Sequence, residues 1–308
     1  LLAEMLFTSN FSETDADNER GVIREEMDMY ADTPEDLVTE RLIGAAFPGT
    51  LGRPVLGRPA TIERLTGARL RAFQLAHYIA PRIVVAVSGS FTEANLAHLA
   101  AHFSWLPARP DLTMRRGSYT PAFTLKRKAI EQNQISIGFP GLPTGSEARF
   151  TMALLSSILG GNMSSRLFQS IREERGMAYS VYSYPNPMSG TGVLAVYAGT
   201  SPEHAGEVVR MLNEETKKLA EGGLTEKEFR QAKEQLLSGF ILGQESTSSR
   251  MNAIGRRLLL LGDTQTDEDV VEKIRGITFE GVNALARRVL TSPRSAAIVG
   301  NGAEDIEI

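Results

Sequence analysis

Apolar positions in the first hundred residues recur at intervals of three and four, which is the period of an amphipathic helix. The clearest apolar face lies within a helix predicted at 18–31 and consists of Val22, Ile23, Met27 and Tyr30. Further helices of this kind are predicted at 61–65, 68–77 and 94–103. Another helix is expected to begin at Pro34 with Thr33 as its N-cap. The β-branched run 82–87, between a proline and a glycine, predicts a buried strand.

The second half of the chain mixes strand and helix patterns. Short apolar or alternating runs predict strands at 134–139, 178–184, 193–198 and 295–299. Helical patterns occupy 150–159, 164–174, 251–261 and 280–290. Two longer helices are expected to start at Ser201 and at Thr225, the latter with a capping box closed by Glu228. Partial segregation of strands and helices favours an α+β fold in which helices cover a mostly antiparallel sheet.

The chain repeats itself with an offset of 212 residues. Shifted by this distance, Ile62, Thr66, Ala72, Pro81, Arg82 and Val87 fall on Ile274, Thr278, Ala284, Pro293, Arg294 and Val299. The shared order of helix, Pro-Arg and strand favours a true duplication. We therefore predict two homologous domains: 1–106 as the C-terminal part of a first domain, 107–124 as a linker, and 125–308 as a complete second domain. On this interpretation the first domain is incomplete, because its start would lie about 85 residues before Leu1.

Composition excludes several classes of function. The formal charge is −4 without a basic stripe, so nucleic acid is not an expected partner. No cysteine is present, which removes disulfides, thiolate nucleophiles and Cys-ligated metal. No apolar run is long enough to cross a bilayer, so membrane insertion is not expected either. The glycine-rich turns do not follow a phosphate-binding pattern, and no serine lies in a nucleophile elbow.

Glu19 and Glu26 are the candidate site residues. They lie seven positions apart in the helix predicted at 18–31, so both carboxylates project from one face together with Val22 and Met29. Carboxylates in such a setting can act as a metal ligand and its supporting group. From spacing alone, a solvated acidic face is the favoured interpretation of the pair, because Arg20, Arg24, Glu25 and Asp28 surround it.

Four histidines are the other possible metal ligands. His98 and His102 have the four-residue spacing that lets two imidazoles share a zinc ion. No glutamate lies between them to act as a base, and we interpret both as packing residues of a half-buried helix. His77 and His204 stand alone and are interpreted as structural.

Several stretches of this sequence resemble the insulinase/pitrilysin family of zinc peptidases. The resemblance is closest to the half-length bacterial branch that is similar to the mitochondrial processing peptidase. It rests on residues 19–36, 161–168, 175–181, 197–200 and 245–251, and it extends over essentially the whole chain.

The resemblance implies two homologous α+β domains that form the halves of a clamshell. In this family zinc is held by both histidines of a His-x-x-Glu-His motif and by a later glutamate. That glutamate corresponds to Glu26 here, and Glu19 corresponds to the supporting acid. The motif itself does not occur in this sequence and would lie about fifty residues before Leu1. We therefore expect an N-terminally truncated fragment with an incomplete zinc site, inactive alone.

The resemblance thus implies a zinc-dependent endopeptidase that processes or degrades peptides or unfolded polypeptides. It also implies assembly as a homodimer or as paired subunits, in the cytoplasm of a bacterium. An alternative is a non-catalytic partner subunit of a heterodimeric peptidase in the same family, although the presence of both Glu19 and Glu26 argues against it. A purely structural scaffold, as in the core subunits of respiratory complexes, is a more distant alternative.

Overall fold

A computed structural model describes residues 1–110, 117–263 and 265–302 of the chain. The chain divides into two compact units, each assembled from separate stretches of sequence. Unit 1 comprises Leu1–Met29, Val55–Met114 and Ile241–Gln265. Unit 2 comprises Tyr30–Pro54, Arg115–Phe240 and Thr266–Ile308.

Unit 1 is helical and has a very small core. Its helices are α1 (Leu2–Phe7), α2 (Glu13–Ala31, continuing into unit 2), α4 (Pro59–Ile62), α5 (Gly67–His77), α6 (Glu93–Phe103) and α10 (Thr247–Leu261). Among its described residues, only Ile62, Ile79 and Leu106 are buried apolar side chains. Polar contacts hold α1 to α5 instead, since Gln74 and Arg71 donate hydrogen bonds to backbone carbonyls of residues 6 and 9.

Unit 2 is built on one five-stranded sheet. The strands are β1 (Phe123–Arg127), β2 (Asn133–Pro140), β3 (Ala178–Met188), β4 (Thr191–Thr200) and β5 (Ser295–Gly300). Their order in the sheet is β1-β5-β2-β4-β3, and only the β1–β5 pair is parallel. Strand β5 lies between β1 and β2, its side chains enter the clusters on both faces of the sheet, and all six of its residues are buried.

Helices cover both faces of this sheet. The main core lies between one face and α7 (Arg149–Gly160), α8 (Ala205–Gly222) and α12 (Phe279–Leu290), with α9 (Glu226–Gly243) and α11 (Asp267–Arg275) at its margin. The other face packs on α3 (Pro34–Ala46), the remaining helix of unit 2. Strand β4 serves both cores by alternation: Leu194 and Val196 face the main core, while Ala195 and Tyr197 face α3.

Two tyrosines on the α3 side of the sheet are hydrogen-bonded, and one of them, Tyr182, is bonded to α3 itself. The hydroxyl of Tyr182 donates a hydrogen bond of 2.6 Å to the carboxylate of Glu35 on α3, and the hydroxyl of Tyr197 donates to Gln134. Burial first, and then the bond to Glu35, raises the pKa of Tyr182 above its ordinary value. Both effects keep the phenol protonated, so it remains a hydrogen-bond donor to α3 at any physiological pH.

A charged pair fixes the start of α9. Arg166 donates two hydrogen bonds to Glu228, at 2.6 and 2.9 Å, and a third to the carbonyl of Gly223. Glu228 also closes the expected capping box, since its carboxylate accepts from Thr225 and its N–H donates to the Thr225 hydroxyl. Burial alone would raise the pKa of Glu228, but the bonds from Arg166 and Thr225 outweigh it and lower the pKa to about 2.

The observed fold confirms the predicted class: a helix-covered, mostly antiparallel sheet. The strands at 134–139, 178–184, 193–198 and 295–299 all form, and most predicted helices lie within one or two residues of those observed. The sequence patterns did not predict strand β1 or helix α11.

The predicted boundaries 1–106, 107–124 and 125–308 divide the chain into homologous domains, which differ in kind from the compact units, and they stay a prediction. Residues 111–116 of the predicted linker lie outside the described residues. In the parts of the chain that are described, no helix is long and apolar enough to span a membrane.

The internal repeat is visible in local structure. Helices α5 and α12 start at equivalent positions under the 212-residue offset. Their N-caps are also equivalent, since the hydroxyl of Thr66 accepts from the N–H of Arg69 and that of Thr278 accepts from the N–H of Gly281. Equivalent caps give the two copies the same helix start.

The prediction of a buried strand at 82–87 is wrong. Residues 83–88 form no strand, and Val85 is exposed, whereas the equivalent residues 295–300 form the buried strand β5. β5 is ordered because β1 and β2 accept and donate its backbone hydrogen bonds. No strand is present among the described residues of unit 1, so 83–88 lack such neighbours.

The helix predicted at 164–174 also differs from the observed structure, because residues Phe168–Glu173 form a π-helix.

Amide hydrogen exchange in the 308-residue chain should separate the two copies of the repeat. We expect the amides of 84–88 to exchange at least ~1,000-fold faster than those of 296–299, because only the latter are bonded within a buried sheet. Mass spectrometry of peptic peptides that cover each segment measures the difference. Equal protection of the two segments would show that 83–88 are paired.

The substitution Glu228→Gln should destabilise unit 2 by about 1–2 kcal/mol at pH 7, because it removes the charge from the bonds to Arg166. The folded-state pKa is depressed, so the stabilisation is present above about pH 4.5 and disappears as pH falls towards about 2. Urea unfolding at pH 7 and pH 3 should show a smaller difference from wild type at pH 3. Glu221→Gln, which weakens a more exposed pair at 4.0 Å, is the matched control and should change little.

Candidate functional site

Helix α2 presents the predicted site residues to solvent. Glu19, Glu26, Val22 and Met29 lie on one face and all four are exposed, with Met29 exposed by 70%. The described residues provide no hydrogen-bond or ion-pair partner for either carboxylate. Both groups are therefore available as acceptors on a surface that also carries apolar side chains.

The opposite face of α2 is fixed by Arg20. Its guanidinium donates to the carbonyls of Ile62 and Leu65, at 3.4 and 2.7 Å, and pairs with Asp17. Arg24 adds an ion pair of 3.1 Å with Glu63. These contacts set the rotation of α2 about its axis, and that rotation directs Glu19 and Glu26 outwards.

The described residues do not complete a zinc site at this face. No group of three or more His, Asp or Glu side chains in the described parts of the chain is arranged to hold a metal ion. A catalytic zinc uses three protein ligands, and Glu19 and Glu26 supply only carboxylates. The roles of Glu26 as metal ligand and Glu19 as supporting acid stay predictions.

The histidines divide into two structural settings. Nδ1 of His77 accepts a hydrogen bond of 2.7 Å from Arg82, and Nδ1 of His204 lies 3.1 Å from the Ser201 hydroxyl, as expected for structural residues. His98 and His102 instead lie on the exposed side of α6. The interpretation of these two as packing residues is wrong, because the partly buried positions of α6 are those of Leu96, Leu99 and Phe103.

A second cluster, in unit 2, was not anticipated as a candidate site. Arg172 lies in the π-helix, with its guanidinium carbon 4.8 Å from the ring centre of Phe168 and 4.6 Å from that of Tyr179. Tyr179 is 75% exposed near the start of β3, which is an edge strand of the sheet. π-Helical turns occur frequently at functional sites. The sequence offered one indication of this cluster, namely the stretch 175–181, which contributes to the family resemblance. That stretch did not indicate a role for Tyr179.

The stretch 161–168 forms one wall of a polar pocket of about 530 Å³. Asn162 organises this wall, since its amide donates to Ser157 and Gln235 and its carbonyl accepts from the N–H of Ser164. The pocket lies between this loop and α9 and contains neither Glu19 nor Glu26. Residues 161–168 therefore have a structural role within unit 2, because they form this wall and position Arg166 against Glu228.

Comparison with known proteins places these features in a family. Residues 64–236 match the sequence profile described as the Peptidase M16 inactive domain. An uncharacterized zinc protease of Bacillus subtilis is 33% identical over 97% of this chain and 74% of its own length. Uncharacterized zinc proteases of Streptomyces coelicolor and Mycobacterium tuberculosis are 37% and 36% identical over 97% of this chain, and over 68% and 70% of their own lengths.

Solved structures agree on the fold. The crystal structure of a peptidase M16 inactive domain from Pseudomonas fluorescens superposes with a TM-score of 0.89 at 21% identity, over 97% of this chain and 73% of that one. A chain of complex III2 from Candida albicans superposes with a TM-score of 0.80 at 19% identity, over 94% and 72%. The extent of the profile match and the identity to these zinc proteases confirm the resemblance, and the chain belongs to the M16 family of peptidases.

Proposed function

We propose that this chain is part of a zinc-dependent endopeptidase and that Glu26 is one of its metal ligands. Membership of the M16 family and similarity to proteins described as zinc proteases support the activity. The observation that carries the proposal is the exposed, unpartnered pair of Glu19 and Glu26 on a helix whose other face is fixed by Arg20. Its further ligands, with imidazole donors, would come from residues that these 308 do not include.

Unit 2 offers a surface suited to an extended peptide. The guanidinium of Arg172 and the hydroxyl of Tyr179 are hydrogen-bond donors near the start of an edge strand. The backbone carbonyls of an extended peptide or unfolded polypeptide are the matching acceptors, and they occur in every sequence. We therefore include Arg172 and Tyr179 in the proposed substrate-binding surface.

Unit 1 supports the idea that further polypeptide packs against it. Three buried apolar side chains form almost no core, while Leu2, Met5, Phe73 and Leu75 are each more than half exposed. Exposed apolar surface of this extent marks an interaction site. The rest of a first domain, or the second subunit of a homodimer or heterodimer, would cover it.

A non-catalytic partner subunit is the second candidate. The description of the matching profile, which covers residues 64–236, as an inactive domain favours it. A partner subunit would use the surface of Arg172 and Tyr179 to contact peptide but would not retain zinc. Metal content therefore distinguishes the two candidates.

Glu26→Gln should abolish zinc retention by the protein expressed from its whole reading frame, because an amide replaces an anionic ligand. Glu19→Gln should weaken zinc binding by about 10–100-fold, as expected for a supporting group. Zinc is measured by atomic emission after a chelating resin has removed loosely held ions. Glu25→Gln, one position along the same helix and on another face, is the control and should retain about one zinc per chain.

Two results would contradict this assignment. Undiminished zinc in the Glu26→Gln variant would show that Glu26 is not a ligand. Absence of zinc from the wild-type protein itself would favour the non-catalytic partner.

Tyr179→Phe and Arg172→Lys should each lower the affinity for an extended, fluorescently labelled peptide by about 10-fold, because each removes or misplaces a hydrogen-bond donor. Fluorescence polarisation measures this for either candidate function. Arg175→Lys is the matched control, since Arg175 is exposed and pairs with Glu207 at 3.1 Å. Unchanged peptide affinity in both variants would remove this surface from the proposal.

A further inference from the structure

His98 and His102 place two imidazole nitrogens side by side on the exposed face of α6. Their Nε2 atoms are 3.3 Å apart, and their rings are nearly perpendicular with centres separated by 4.7 Å. Both side chains are exposed, and the described residues give them no hydrogen-bond partner other than each other. The pair is therefore not explained by packing or by a structural bond to the backbone.

This separation matches the geometry of a shared metal ion. Zinc binds imidazole nitrogens at about 2.0–2.1 Å, and two ligands at the tetrahedral angle are then about 3.3 Å apart. From the sequence, the four-residue spacing brings the two residues onto one helix face. From the structure, the ring nitrogens already have the required separation, so a metal ion can bind without a change in the backbone.

The helix itself is well defined at this point. Its start is fixed by a capping box in which Thr92 and Asn95 exchange hydrogen bonds. Its end is fixed by Trp105, whose indole N–H donates to the carbonyl of His102 at 2.9 Å. Both histidines thus lie on a helix with fixed ends, and no rearrangement of the backbone is needed when an ion joins them.

We propose that His98 and His102 form a two-imidazole binding site for a divalent late transition-metal ion, Zn²⁺ in the first instance. Each ring binds through Nε2 and carries its proton on Nδ1, and water occupies the remaining coordination positions. The site is distinct from the proposed peptidase zinc, because it uses no carboxylate and lies on α6, not α2. Cu²⁺ binds the same donors more tightly, which makes it a suitable probe.

The sole tryptophan of the sequence reports on this site, since Trp105 is bonded to His102. Cu²⁺ added to the 308-residue chain should quench Trp105 fluorescence with a stoichiometry of one ion, and Zn²⁺ should reverse the quenching. His98→Ala and His102→Ala should each weaken Cu²⁺ binding by about 100-fold, because chelation by two linked ligands is lost.

The matched control keeps both imidazoles but separates them. In the double variant Ala100→His with His102→Ala, the two histidines are two residues apart and point to different sides of the helix. This variant should bind as weakly as the single variants, while circular dichroism confirms that the helix content is unchanged. Wild-type affinity in the double variant, or loss of only half the affinity in each single variant, would overturn the proposal. Because Cu²⁺ is the tighter-binding ion, Zn²⁺ is added in large molar excess, and failure of that excess to displace Cu²⁺ would overturn the assignment to zinc. None of these outcomes bears on Glu26.

Discussion

The need to pair the backbone of a buried strand is the constraint on which this structure depends. In unit 2, β5 is satisfied by β1 on one side and β2 on the other, and its side chains can then enter the cores on both faces of the sheet. The equivalent segment 83–88 in unit 1 has a similar apolar sequence, but the described residues of unit 1 include no strand to pair with it. One pattern therefore yields a central strand in one copy and an extended surface segment in the other.

The same contrast explains the distribution of stability. Unit 2 has a core on each face of its sheet, and its polar side chains form short hydrogen bonds, such as those of Arg166 with Glu228 and of Tyr182 with Glu35. Unit 1 relies on side chains that bond to backbone carbonyls, of which Arg20 on α2 is the clearest case. These contacts orient helices, but they bury little apolar surface, and burial is the dominant favourable term in folding. The proposal that further polypeptide packs against unit 1 follows from that deficit.

The candidate residues show how exposure changes the interpretation of a sequence pattern. Glu19 and Glu26 are exposed, as expected both for a solvated acidic face and for carboxylates that await further metal ligands. Exposure alone does not distinguish these two interpretations. The pattern of α6 predicts packing roles for His98 and His102, but Leu96 and Phe103 take the inward positions of the helix. The spacing was visible in the sequence, while the side of the helix that faces solvent was not.

The sequence by itself determined the elements that depend on local forces. Helical periodicity, the capping box at Thr225, the alternation in β2 and the α+β class are all consequences of short-range spacing. The family resemblance came from contiguous stretches and was likewise readable without coordinates. Tertiary structure alone decided the outcome at 83–88, the stacking of Arg172 on Tyr179 and the outward direction of Glu26. Each of these depends on a neighbour that is remote in sequence, or on a strand that the described residues of unit 1 do not include, and local patterns carry no information about such neighbours.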